Sequence, residues 1–141
     1  MNDERSTVLA ALAALRALPA LTPATVGAAF GHALALADET PHLLVHEARP
    51  DGGPYAKVAL LTPAPGARHN NLRAVADLRP DVDVTRDDVE GLLGEGAFCS
   101  VVPDAPGGRE TRRYPAGMHA LYLTYSVLGR RLRSVCIARE G

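Results

Sequence analysis

The chain has 141 residues, a net charge of −1, 47% hydrophobic residues and only 4% aromatics. Such a composition describes one ordinary globular domain, with a core drawn from Leu, Val and Ala. It excludes any overall electrostatic pull toward nucleic acid, membrane surfaces or acidic substrates. Two cysteines, Cys99 and Cys136, are too few for a disulfide scaffold. They read as buried free thiols, with one bridge open in an oxidising compartment. No run approaches the roughly 20 apolar residues that cross a bilayer. Segment 8–18 has the length of a signal-peptide core, but Asp3, Glu4 and Arg16 are misplaced for one. As written the chain reads as cytoplasmic, or as periplasmic if a signal has been removed.

The first predicted element is a helix over 6–18, capped by Ser6 and stopped by Pro19, with Val8, Leu12 and Leu15 on one apolar stripe. A second helix spans 22–30. Thr22 suits its N-cap, Pro23 its first position, and Leu21 can staple onto Val26. Gly31 sits where a left-handed residue ends a helix. Strands follow over 42–48, 55–62 and 71–79. In the last, Leu72, Ala74, Ala76 and Leu78 alternate with Arg73, Val75, Asp77 and Arg79.

The stretch 84–94 then repeats the pattern of 21–31, sixty-three residues downstream. Thr85 is the cap, Val84 and Val89 the staple, Asp87 and Asp88 the charges favoured at a helix start, and Gly94 the stop. Strands over 97–102, 110–114, 119–127 and 132–139 follow, with a Pro/Gly loop at 103–108. The final strand matches 71–79 at an offset of sixty, with Leu132 against Leu72. These regularities predict an α+β fold, its N-terminal helices packed on an antiparallel β-sheet, built by tandem duplication of a helix-plus-β-meander unit. The expected layout is one domain, 1–141, with an N-terminal helix over 1–20, a first unit over 21–80 and a second over 81–141.

A helix followed by an antiparallel meander, twice over, resembles the tandem-repeat fold of the β-lactamase inhibitory proteins. The single unit is similar to the small outer-membrane assembly lipoproteins of the SmpA/OmlA type. Residues 84–94 carry the likeness, with Thr85, Val89, Leu93 and Gly94 close to that group's threonine, valine and leucine-glycine spacing, followed by the strand containing Tyr122 and Tyr125. The resemblance implies a fold and a binding role. Two departures stand out: 80–83 leaves no room for the second helix those units carry, and aromatic residues are few.

Chemistry is sparse. His42 and His46 lie four apart, about 13 Å along a strand, which is too far to share a metal. Cys99 has no neighbouring His, and the Gly52-Gly53 and Gly107-Gly108 pairs join strands as turns rather than phosphate cradles. The basic run 109–113 reads as the solvated face of an edge strand. No catalytic set, metal or cofactor is expected. In 119–127, Leu121, Leu123 and Val127 are read as core-facing. Tyr122 and Thr124 then face outward, joined by Arg133, Val135, Ile137 and Arg139 from the last strand. Those six form the expected partner-binding surface, with Tyr and Arg as anchors. The reading is a non-enzymatic inhibitor or immunity-type protein whose partner is another protein, a toxin or hydrolase. The alternatives are an envelope assembly factor, or a small enzyme or ligand-binding domain using His42, His46 or Cys99.

Overall fold

Two threonines start two of the three helices among the described residues. In the computed structural model, which describes residues 3–103 and 107–140, Thr22 Oγ1 accepts the Thr25 N–H at 3.1 Å while Thr25 Oγ1 accepts the Thr22 N–H at 2.9 Å. Thr85 and Asp88 make the same reciprocal box, at 3.2 and 3.0 Å. Helix α2 (Pro23–Phe30) follows the first cap and helix α3 (Arg86–Leu93) the second. Leu21, Val26, Val84 and Val89 are all buried in the one core cluster. Gly31 ends α2 in the left-handed conformation, whereas Gly94 leaves α3 with positive φ but extended ψ. Helix α1 (Asp3–Arg16) starts upstream of the expected Ser6 cap. Ser6 lies inside the helix and exposed; Glu4 supplies favourable negative charge to its first turn. Val8, Ala11, Leu12 and Leu15 are its buried stripe.

Eight strands form one antiparallel sheet: β1 (Ala35–Glu39), β2 (Leu43–Ala48), β3 (Tyr55–Pro63), β4 (Arg73–Leu78), β5 (Ala97–Val102), β6 (Arg109–Ala116), β7 (His119–Ser126) and β8 (Leu132–Arg139). Their spatial order is β1-β2-β3-β4-β8-β7-β6-β5. Each helix-led half is thus a four-strand meander, and the two meet at the β4–β8 pair. Strand β1 has no counterpart in the sequence reading. All five of its residues are exposed, so it carries no apolar alternation to betray it. The β6 strand is not an edge, because β5 pairs along its outer side. The loop 103–108 lies partly outside the described residues.

All three helices contribute to one core against one face of the sheet. Val8, Leu12 and Leu15 of α1, Val26 and Phe30 of α2 and Val89 of α3 join Val58, Leu60, Ala74, Ala76, Leu121, Leu123, Val135 and Ile137. Phe30 meets Tyr55 edge-on, ring centroids 5.2 Å apart. Among the described residues no helix is long and apolar enough to cross a membrane.

Candidate partner-binding face

The face opposite the helices is read directly from strand register. One row runs Glu47, Ala59, Val75, Cys136, Tyr122, Arg113 across six strands. A second runs Lys57, Asp77, Ser134, Thr124, Thr111, Ser100. Tyr122 and Thr124 therefore stand on this surface, as expected, with a small-to-aliphatic centre and charges at the margins. Tyr122 is fixed there. Its hydroxyl donates to Glu140 Oε2 at 3.1 Å, and Arg113 Nε donates to Glu140 Oε1 at 2.7 Å. Partial burial, then the nearby Glu140 carboxylate, push the Tyr122 phenol above its ordinary pKa. The Glu140 carboxyl is held below its usual range, chiefly by the Arg113 hydrogen bond. Thr111 and Thr124 share a 2.8 Å hydroxyl contact across strands.

Of the other four expected residues, Val135, Ile137 and Arg139 are not on this face. Val135 and Ile137 are 1% and 0% exposed, packed in the core. The reason is a β-bulge. Thr124 pairs with Ser134 and Tyr125 with Leu132, leaving Arg133 unpaired. One inserted residue reverses every following side chain, so Leu132 and then Val135 and Ile137 face the helices. Arg133 itself reaches the preceding loop, donating to Pro80 O at 3.0 Å and Val82 O at 2.9 Å. Arg139 is exposed, but at the helix-facing end of β8 opposite His119. Val127, expected in the core, is exposed in the turn beyond β7.

A second feature escaped the sequence reading. Phe98, Val101, Val102, Val127 and Leu128 are exposed large apolar side chains, Phe98 at 56% and Leu128 at 76%. They gather at the β5 edge and the β7–β8 turn, where Val101, Val127 and Leu128 line one shallow groove. A bulge at Cys99 places Phe98 and Val101, three apart, on one side of β5. The alternation breaks there, which hid the pattern. Cys99 is exposed rather than buried; both cysteines are free. Cys136 is partly buried, which pushes its thiol pKa up.

Beneath α3 the core turns polar. Glu110 and Arg112, from the helix-facing side of β6, meet Arg86 and Glu90 of α3. Arg112 Nε donates to Glu110 Oε2 at 2.6 Å, and Arg86 Nη1 to the same oxygen at 3.4 Å. Glu90 Oε2 accepts the Gly96 N–H at 3.0 Å and the Tyr114 hydroxyl at 2.8 Å. Tyr114 and Tyr125 hydroxyls lie 2.7 Å apart. Since Tyr114 spends its single proton on Glu90, Tyr125 must be the donor to Tyr114. Burial alone would raise the Glu90 pKa; the hydrogen bonds from Gly96 and Tyr114, then the Arg86 charge, bring it below its ordinary value. Burial drives both tyrosines well up.

Among the described residues no group of three or more His, Cys, Asp or Glu could hold a metal ion. His119 is buried, its Nδ1 without a hydrogen bond, and burial and then Arg139 hold its pKa below the ordinary value. No protein-family model, curated protein or solved structure matches the chain.

Proposed function

We propose that the chain is a non-enzymatic protein-binding protein of the inhibitor or immunity type, engaging a partner enzyme through the helix-free face of its sheet. One observation supports this reading above others. The sheet is covered by helices on one face only, and the other face centres on Tyr122, Val75 and Cys136 within a polar, charged margin. At the β5 edge exposed Val102 shares that face, while exposed Phe98 and Val101 stand beside it on the other side of the strand. Interfaces favour such aromatic and aliphatic centres, and exposed apolar patches mark contact surfaces. Tyr122, held by Glu140, is an anchor that loses little freedom on binding. We also propose that the two helix-led meanders descend from one duplicated unit; matched capping boxes and the mirrored strand order about β4–β8 support it.

The test begins with a partner captured from the source cell and identified as an enzyme. Its activity should fall on titration with this protein. Tyr122→Ala should weaken that inhibition by roughly thirtyfold or more, the usual loss for an interface anchor, while the melting temperature stays near wild type. Unchanged inhibition by both Tyr122→Ala and Thr124→Arg would remove the sheet face from consideration.

A further inference from the structure

We propose that β5 is a dimerisation edge, along which a second copy of this chain pairs its own β5 antiparallel and joins the two sheets into one. The sheet order ends at β5, so among the described residues one side of its backbone has no strand beside it. All six of its residues are exposed. Natural edge strands are ordinarily protected by charge or proline, because an open row of N–H and C=O groups recruits another strand. Strand β5 carries neither. It presents Phe98, Val101 and Val102 instead, at 56%, 47% and 53% exposure. The opposite edge, β1, ends in Asp38 and Glu39, which keep it in water.

What selects a second copy, rather than any extended strand, is the match of β5 to itself. Directly opposed side chains of an antiparallel pair share a face. Phe98 and Val101 lie opposite Arg112 and Glu110, on the helix-facing side, whereas Ala97, Ser100 and Val102 lie opposite Arg113, Thr111 and Arg109 on the other. In a regular strand residues three apart point to opposite faces. The extra residue at Cys99 puts Phe98 and Val101 on one face. A two-fold axis perpendicular to the sheet, between Cys99 and Ser100, therefore sets Phe98 opposite Val101 of the second copy and Ala97 opposite its Val102, each contact made twice. Every such pair agrees in face and is apolar. No charge within the strand meets a like charge, and a net charge of −1 adds little repulsion between copies. Phe98 of the second copy also comes beside the shallow groove that Val101 shares with Val127 and Leu128. Five exposed apolar side chains offer on the order of 500 Å² per copy. The pair thus reaches the roughly 1,000 Å² in total that a specific interface needs, at the weak end of the range, with a dissociation constant on the order of 10 µM.

The experiment is analytical ultracentrifugation of the purified full chain under reducing conditions, from about tenfold below that constant to more than tenfold above it. Wild type should pass from monomer to dimer and stop there. Phe98→Lys and Val101→Glu should each weaken association by about a hundredfold or more, because the two-fold symmetry counts each substitution twice. Both should melt near wild type, since the two side chains are exposed. Mixing the two variants should restore the dimer. In the mixed pair the introduced charges are opposite in sign and face each other, while the other contact keeps its native Phe98 and Val101. Wild type that stays monomeric throughout overturns the proposal and leaves the edge to a strand of another protein. A dimer that survives both substitutions, growth past the dimer, or no association in the mixture overturns it as well.

Discussion

The arrangement of β8 makes a crossed mutational test. Ile137 is 0% exposed, opposite Leu121 on β7 and Ala74 on β4. Truncation to Ala removes three buried carbons and leaves a cavity in a wall formed by two strands, which typically costs about 2–5 kcal/mol. For a chain of this size each kcal/mol lowers the melting temperature by about 3–4 °C, so Ile137→Ala should melt roughly 6–20 °C below wild type. Tyr122 has the opposite exposure. Its ring stands on the open face and its hydroxyl meets the side chains of Glu140 and Arg113 at the surface, so Tyr122→Ala should cost about 1 kcal/mol or less. Arg133→Ala should fall between, because it strips hydrogen bonds from two loop carbonyls, those of Pro80 and Val82. Thermal unfolding followed by circular dichroism ranks the three. Equal destabilisation by Tyr122→Ala and Ile137→Ala would refute the bulge at Arg133 and the assignment of faces that depends on it.

Thr85→Ala should destabilise by about 1 kcal/mol, read as a lower denaturant midpoint at unchanged slope, because it removes the acceptor for the Asp88 N–H. Gly96→Ala should cost several kcal/mol or prevent folding, since a Cβ there would lie 2.4 Å from Tyr114 Cζ and the ring is fixed by Glu90 and Tyr125. Acid should weaken the fold in two windows. The His119 pKa is lowered on folding, so its contribution is full above about 6.5 and is lost as pH falls through the folded value; in His119→Leu that part of the stability–pH curve should flatten. The Glu90 pKa is also lowered, from 4.5, so its contribution is present at neutral pH and lost below that point. Glu90→Gln should therefore be less stable than wild type at pH 7, and the gap should close in acid.

What the sequence revealed and what it concealed divide along one line. Features set within a few residues were legible. Thr22 and Thr85 each specify a cap with their own neighbours, and the period-two pattern of 71–79 and of 119–125 fixes which side chains are buried. Features set by a partner strand were not. The exposed strand β1 exists through its pairing with β2. The unpaired positions at Arg133 and Cys99 are visible only against β7 and β6, because a bulge is a mismatch between two strands and leaves no mark in one. Each misplaced site residue follows from that. Matching 131–139 to 71–79 by identity carried the phase of an unbulged strand onto a bulged one, and so turned Val135 and Ile137 outward.

The run 109–113 shows the same logic with a different outcome. Its alternate positions, Glu110 and Arg112, hold core-facing sites where the preceding meander places Leu44 and His46 opposite Thr62 and Leu60. Charge on that side violates the binary pattern, and the simplest account of a charged strand is solvation at an edge. The strand is interior instead, and the charges are matched by Arg86 and Glu90 from α3. Replacing such a network with apolar side chains is often neutral or stabilising, so burial energy alone gives no reason for it. A sequence that keeps four charges and two tyrosine hydroxyls in a position where Leu or Val would serve departs from local consistency, and such departures concentrate where a protein does something other than fold. The departure is one-sided. On the α2 side, the matching region is filled by Phe30 against Tyr55, whereas the α3 side combines the polar network, the strained Arg130 and the exposed apolar turn of Val127 and Leu128. The half of the molecule that departs furthest from what packing requires is therefore the α3 half, and mutational searches for function belong there first.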